Sequence, residues 1–318
     1  MKIKIWILLL GFMLILVLNG CGNNNAAFIT DGFINQEETI YINETVNAEK
    51  WDEIESFLKM ITVENIDTIP LFYLYGSEAG YEKVKSVNYG YLPFYTNEDL
   101  DIIKEIVPTT NKDIRPGENR KATKYIVIHN TGMASPSATA KTLSKSINNS
   151  NRQASWHFTV DDREIYQQLL IEEIGWHAGT PEGNNYGIGI EMAVYQGIDL
   201  NQAMRKTARL TAKLLIDYNL NLEDVKQHYD FSGKNCPQVL REANRWLEFL
   251  GLVEMEYYGQ KYLADVHFEW KSLTPQIIDD QGRVIDRSGA EAQTHYQVQV
   301  SYGKEVRVYS FTSKLKAL

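Results

Sequence analysis

Two short apolar runs, YIVIH at 125–129 and GIGIEM at 187–192, constrain the fold of this chain more than any other feature. Both are rich in β-branched residues and lack the polar alternation of a strand with one wet face. Such runs read as strands buried on both sides, and burial on both sides requires covering layers of helix. Helical patterns supply those layers. Ser135-Pro136 can open a helix through about Asn148. Met204, Ala208, Thr211, Leu215 and Tyr218 keep helical spacing, as do Val239, Ala243, Trp246 and Leu250. HFTVDDREIYQ (157–167) reads as a hairpin turning at Asp161-Asp162. The expected fold class is α/β: a mixed central β-sheet flanked by helices, occupying residues 118–251.

The flanks read differently. In residues 28–117, an α+β region, Asn47 can cap a helix that puts Trp51, Ile54, Leu58 and Ile61 on one face. Thr96 can cap another carrying Leu100, Ile103 and Val107, with Pro108 beyond its end. Between them stand six tyrosines from Tyr73 to Tyr95, read as strand and core aromatics in preference to a sugar-stacking platform. TTNKDIRPGENRKAT (109–123) has the polar, Pro- and Gly-containing composition of a linker. After Gly251 only strand patterns remain: YLADVHFEW, QGRVID and HYQVQVSYGKEVRVYSF, with turns expected at Gln281-Gly282 and Gly303-Lys304. Residues 252–318 are therefore expected to form a small all-β appendage.

The chain opens MKIKIWILLLGFMLILVLNGCG. Lys2 and Lys4 precede an apolar run of 14 residues, Ile5 to Leu18. A bilayer span takes about 20, so the run has the length of a secretory signal core. Leu18-Asn19-Gly20-Cys21 resembles the lipobox of bacterial lipoproteins. That resemblance implies a signal peptide at 1–20, a lipidated Cys21, a tether at 21–27 and a lipid anchor on the outer face of a membrane. The alternative is an uncleaved N-terminal anchor, and both readings export the remainder. Without Lys2 and Lys4 the formal charge moves from −9 to −11, which argues against nucleic acid as a partner.

The chain has two cysteines, so a lipidated Cys21 leaves Cys236 without a disulfide partner. Cys236 is then an inert thiol, a nucleophile or a metal ligand. His129 closes the YIVIH strand, and His228 and Cys236 bracket a loop containing Gly233. Two imidazoles and a thiolate suit Zn²⁺ and leave a fourth position open, although the spacing has no helical HExxH or CxxC geometry. A lone histidine of this kind is more often structural. SGKN (232–235) lacks the glycine spacing of a phosphate-binding loop.

TKYIVIHNTG, QASWHFTVDD, IGWHAG, GNNYGIGIEM and KQHYDFSGKNCP occur in the order found in zinc-dependent N-acetylmuramoyl-L-alanine amidases of the type-2 amidase family, whose fold is shared with peptidoglycan recognition proteins. The resemblance covers about residues 120–250. It implies zinc ligands at His129, His228 and Cys236, and an oxyanion-steadying lysine at Lys234. Trp156 stands where relatives resembling phage lysozymes carry a tyrosine. Glu191 stands where another branch carries its acid–base glutamate, and this sequence resembles that branch. Trp156, Trp176, His177 and Asn130 are the expected substrate-binding residues. His157 has equal claims to a structural and a functional role. The implied activity is hydrolysis of the amide between N-acetylmuramic acid and L-alanine in peptidoglycan or muropeptides. The alternative is a non-catalytic peptidoglycan sensor on the same fold. Such relatives typically lack the thiolate that Cys236 supplies here.

Overall fold

The computed structural model describes residues 44–66, 72–77, 80–88, 90–285 and 291–316. The signal, Cys21 and the tether lie outside the described residues. Among the described residues no helix is long and apolar enough to cross a membrane. The described residues fall within one compact unit.

The core is a six-stranded mixed sheet in the order β4 (Ile102–Lys104), β7 (Ile165–Gln167), β6 (Phe158–Val160), β8 (Gly187–Met192), β5 (Tyr125–Asn130) and β9 (Val225–Gln227). The β6–β7 pair is antiparallel and every other pair is parallel. Both apolar runs occupy the middle of this sheet, in register from Tyr125↔Gly187 to Asn130↔Met192. Ile126, Val127 and Ile128 are fully buried, as strands covered on both faces must be. This is the α/β layer architecture expected.

Numbered in chain order, the helices are α1 (Glu44–Ile61), α2 (Ala140–Ile147), α3 (Pro181–Tyr186), α4 (Leu200–Asp217), α5 (Tyr229–Ser232), α6 (Gln238–Glu242) and α7 (Trp246–Tyr262). Asp199 caps α4 by accepting from Gln202 N–H. The buried face of α4 (Leu200, Met204, Ala208, Leu215) packs over the sheet and against α7. The hairpin at Asp161-Asp162 is present: Asp161 Oδ1 accepts from the backbone N–H groups of Arg163 and Glu164.

Several expected boundaries move. Asn47 lies inside α1, which begins at Glu44, although Trp51, Ile54, Leu58 and Ile61 are buried as their spacing demands. The helix expected after Ser135 starts at Ala140 with Thr139 as its cap. The helix expected after Thr96 does not form; Ile102–Lys104 is β4, hydrogen-bonded in parallel along β7. Two adjacent β-branched residues beside an open sheet edge pair with that edge, and the tertiary ladder overrides the local period. The expected linker is packed: Ile114 is buried, and Arg115 makes a bidentate buried pair with Glu173 at 2.7 and 2.8 Å.

The carboxyl-terminal strands are not a separate appendage. The pattern change expected at Gly251 falls inside α7, which runs on to Tyr262. A second sheet has the order β1 (Asn65–Ile66), β12 (Glu305–Leu315), β11 (Ala292–Tyr302), β10 (Val266–Ser272), with the expected turn at Gly303-Lys304. It takes β1 from the N-terminal region. Its aromatics pack with those of α1 and the 94–95 segment, where Phe94 stacks on Trp270 at 4.3 Å and Phe57 meets Tyr95 edge-on at 5.3 Å. The core reading of the tyrosines holds for Tyr95, which is buried, and Tyr91, whose hydroxyl donates to Glu248. The side chains of Tyr73, Tyr75, Tyr81 and Tyr89 lie outside the described ones. The remaining pair, β2 (Phe72–Ser77) and β3 (Gly80–Lys85), is an antiparallel hairpin.

Candidate metal centre and active site

His129 is the penultimate residue of strand β5, and its side chain is buried at the carboxyl end of the sheet. The neighbouring strand β9 stops at Gln227, and His228 begins the single turn of α5. Gly233 ends that turn with φ of +74°, a left-handed conformation that glycine takes at no steric cost. The chain then doubles back, and Tyr229 N–H bonds to the Cys236 carbonyl at 3.0 Å. A strand end and a closed loop thus bring three separated residues together.

The ligand atoms of His129, His228 and Cys236 all lie within 4.8 Å of one another, and all three residues are buried. His129 Nδ1 is 3.1 Å from His228 Nδ1 and 3.8 Å from Cys236 Sγ. Tetrahedral zinc, with bonds of about 2.0–2.1 Å to nitrogen and about 2.3 Å to sulfur, separates two nitrogens by about 3.4 Å and nitrogen from sulfur by about 3.6 Å. The pocket fits. Its electrostatics fit as well. Burial, with neighbouring His177, His228 and Lys234, holds His129 well below the usual imidazole range, and burial with Lys234 brings His228 to about 4. Both rings are therefore neutral donors. Burial, reinforced by Glu191, pushes the Cys236 thiol up to about 12, so a thiolate here requires a cation.

Glu191 lies on β8 directly across from His129 in the ladder. Its Oε2 is buried and has no hydrogen-bond partner among the described residues. Burial raises its carboxyl to about 7 against the opposing pull of Lys234 and Arg152. A carboxyl near neutrality beside a metal pocket is suited to taking up and giving back a proton. Lys234 is exposed on the 233–236 loop and acts electrostatically on His129, His228, Glu191 and Cys236.

The structure gives the other expected site residues different positions. Asn130 is buried, and its Oδ1 accepts from Val239 N–H at 2.9 Å, bracing α6 just after Cys236. His177 is buried against His129, its Nδ1 3.1 Å from His129 Nε2. Trp176 is half-buried beside it. Trp156 packs on the small cluster of Val107, Ile114 and Ile147, and its indole N–H donates to Thr159 Oγ1 at 2.7 Å. Thr159 is the ladder partner of Glu191 on the other side of β8, so Trp156 stands one strand from the acid. His157 takes the structural role. Its Nδ1 accepts from Gly189 N–H at 3.0 Å, and its Nε2 donates to the Glu173 carbonyl at 2.8 Å. The sequence reading missed Asn184, whose Oδ1 accepts from both His177 N–H and Ala178 N–H. It also drew nothing from Gly189, although a glycine inside a β-branched strand signals close approach by another group.

Fold and site together define an α/β protein with a buried His–His–Cys cluster that could hold a metal ion, beside a buried carboxyl. Residues 119–239 match the Amidase_2 family, described as N-acetylmuramoyl-L-alanine amidase. The chain is 41% identical over 154 residues to the N-acetylmuramoyl-L-alanine amidase CwlH of Bacillus subtilis, covering 48% of this chain and 60% of that protein. It is 37% identical over 146 residues to the amidase XlyA of the same organism, covering 45% of this chain and 48% of that one. The chain thus spans between about half and three fifths of the length of these curated relatives. Among solved structures it is similar to the catalytic domain of XlyA, at 35% identity over 48% of this chain and 99% of that chain, with a TM-score of 0.46.

Proposed function

We propose that this protein is a zinc-dependent N-acetylmuramoyl-L-alanine amidase that hydrolyses the amide between N-acetylmuramic acid and L-alanine in peptidoglycan or its fragments. The observation that carries the reading is the His129–His228–Cys236 pocket with the partnerless Glu191 Oε2 beside it, inside the segment that matches the amidase family. Zinc held by these three residues would supply a Lewis acid at the scissile carbonyl. Glu191 Oε2 takes a proton from the attacking water and returns it to the leaving nitrogen, a task suited to a carboxyl at about 7. Lys234 brings a positive charge toward the oxygen that becomes anionic, a contact worth roughly 3 kcal/mol where one such donor has been removed. Asn130 and the Tyr229–Cys236 bond hold the loop that carries Cys236 and Lys234.

The test is digestion of purified peptidoglycan by residues 22–318, with the released ends identified by mass spectrometry. New lactyl carboxyls and free L-alanine amino termini are expected. Glu191→Gln should retain zinc and lose about 10² to 10⁴-fold in turnover, the typical contribution of a general acid–base. A loss below about tenfold would give Glu191 a structural role, and binding without cleavage would favour the sensor reading. The lipobox-like LNGC and the short apolar run before it support a further part of this reading, a diacylglycerol on Cys21 that anchors the protein outside the membrane. Two acyl chains give stable anchoring where one binds only marginally. Cys21→Ser should block lipoprotein processing and give an unprocessed or shed form, and cutting at the same site with equal membrane binding would overturn the lipid anchor.

A further inference from the structure

The zinc reading explains why His129, His228 and Cys236 are buried together, but it leaves His177 unused. Its imidazole Nε2 is 3.3 Å from the Gly187 carbonyl oxygen, and its Nδ1 is 3.1 Å from His129 Nε2. A carbonyl only accepts, so His177 Nε2 carries the hydrogen and Nδ1 of the neutral ring has a lone pair. That lone pair accepts from His129 Nε2–H. The hydrogen on His129 is thereby fixed at Nε2, and its free lone pair is fixed at Nδ1. Nδ1 is the atom that faces His228 Nδ1 and Cys236 Sγ.

The strand sequence is shaped around this ring. A Cβ on Gly189 would lie 2.8 Å from His177 Cγ and 2.9 Å from its Nδ1. One on Gly175 would lie 3.1 Å from both His177 Cδ2 and the Ser155 carbonyl oxygen, whereas one on Gly187 would first meet the Gly183 carbonyl oxygen at 2.5 Å and Val127 at 2.8 Å. The contacts at Gly189 are all with the rigid body of an imidazole and not with a flexible chain end. Gly189 of GIGIE therefore leaves room for this one side chain. Its backbone is pinned as well, since Asn184 Oδ1 accepts from His177 N–H and Ala178 N–H at 2.9 and 2.7 Å.

We propose that His177 is a positioning residue that selects the zinc-binding nitrogen of His129, through the chain Gly187 carbonyl, His177, His129, and that glycine at 189 leaves the room its ring needs. The proposal rests on the zinc reading of the His129–His228–Cys236 pocket. Groups that orient a metal-bound histidine typically change metal affinity about 10–100-fold when removed.

The experiment measures zinc affinity by chelator competition and the metal-free melting temperature, for the wild type and three variants. His177→Leu keeps bulk and removes the acceptor. His177→Gln keeps both an acceptor for His129 and a donor for Gly187. Gly189→Ala keeps the imidazole and drives a methyl into it. We expect His177→Leu and Gly189→Ala to bind zinc about 10–100-fold more weakly, and His177→Gln to stay within a few-fold of the wild type. Nitrogen NMR of the metal-free wild type should show His129 protonated at Nε2, and His177→Leu should lose that preference. Wild-type affinity in His177→Leu, or equal loss in the Leu and Gln variants, would overturn the proposal while leaving the zinc site standing. A wild type that binds no zinc would overturn the zinc reading and this one with it. Should His177→Leu fail to fold, Gly189→Ala and His177→Gln still decide, because the proposal requires the first to weaken zinc and the second to hold it.

Discussion

Without a cation, the Cys236 thiol keeps its proton far into the alkaline range, because burial and Glu191 both oppose the thiolate. On the proposed zinc reading, metal uptake must therefore expel that proton. At pH 7.5, titration of the metal-free protein with zinc in buffers of different ionisation enthalpy should show release of about one proton or more per site. Cys236→Ala should lose stoichiometric zinc. Zinc uptake with no proton release would remove the thiolate from the ligand set. His157 gives a second prediction, away from the metal. Burial, with Arg120 and His177 nearby, holds it well below the usual imidazole range. The folded state thus binds fewer protons than the unfolded chain once the pH drops below about 6.5, and stability is lost as the pH falls from there. His157→Gln should reduce that slope by at most about 1.4 kcal/mol per pH unit, one proton's worth, as read from denaturant unfolding between pH 4 and 7. At this scale the clustering of His129, His228 and Cys236, with Glu191 on the neighbouring strand, was legible in the sequence, because the order of the motifs carried it. The contacts of His177 and Asn130 were not legible, because their partners, Gly187, His129 and Val239, come from two separate strands and a helix that no local spacing reports.

Secondary structure was legible where burial and local preference agree, and illegible where a neighbour's edge decided the outcome. Strands β5 and β8 and helix α4 follow their patterns closely. Leu100, Ile103 and Val107 keep a helical period, yet β7 offers Ile102 and Ile103 an open ladder, and β4 forms instead. Helix α7 shows tertiary contact overruling propensity in a single residue. In an open helix, replacing Gly259 with Ala would be favourable by about 1 kcal/mol. Here the added Cβ would lie 2.3 Å from the Tyr95 ring, which packs directly on the helix backbone. Gly259→Ala is expected to destabilise by about 1–3 kcal/mol, as overpacking generally does. In a double-mutant cycle with Tyr95→Ala that penalty should disappear, as measured by chemical denaturation. An additive cycle would mean that the ring yields freely.

The amidase-like segment does not stand apart from its flanks, and this decides what a minimal active fragment can be. A cut at 251 divides α7 and removes Leu252, Val253 and Met255 from the core, together with Glu256, the buried partner of Arg209 at 3.0 Å. A cut at 116 removes β4 from the sheet edge, along with Phe94 and Thr96, whose carbonyls accept from Arg205 and Arg209. Residues 116–251 would therefore expose an apolar face of α4 and leave two arginines without their carbonyl partners. Stranding buried polar groups costs about 1–3 kcal/mol each, more where they are charged, against a total stability of about 5–15 kcal/mol. The sequence pattern marks a plausible break at each of these points, because composition changes there; the packing that crosses the breaks is long-range and has no local signature. The expected outcome is that residues 44–316 unfold cooperatively, bind one zinc and cleave soluble muropeptides. Residues 116–251 should aggregate or melt without a sharp transition. Calorimetry and zinc analysis of the two proteins check this directly. A cooperative, zinc-loaded 116–251 would show that the flanks lie against a self-sufficient catalytic core and do not complete it.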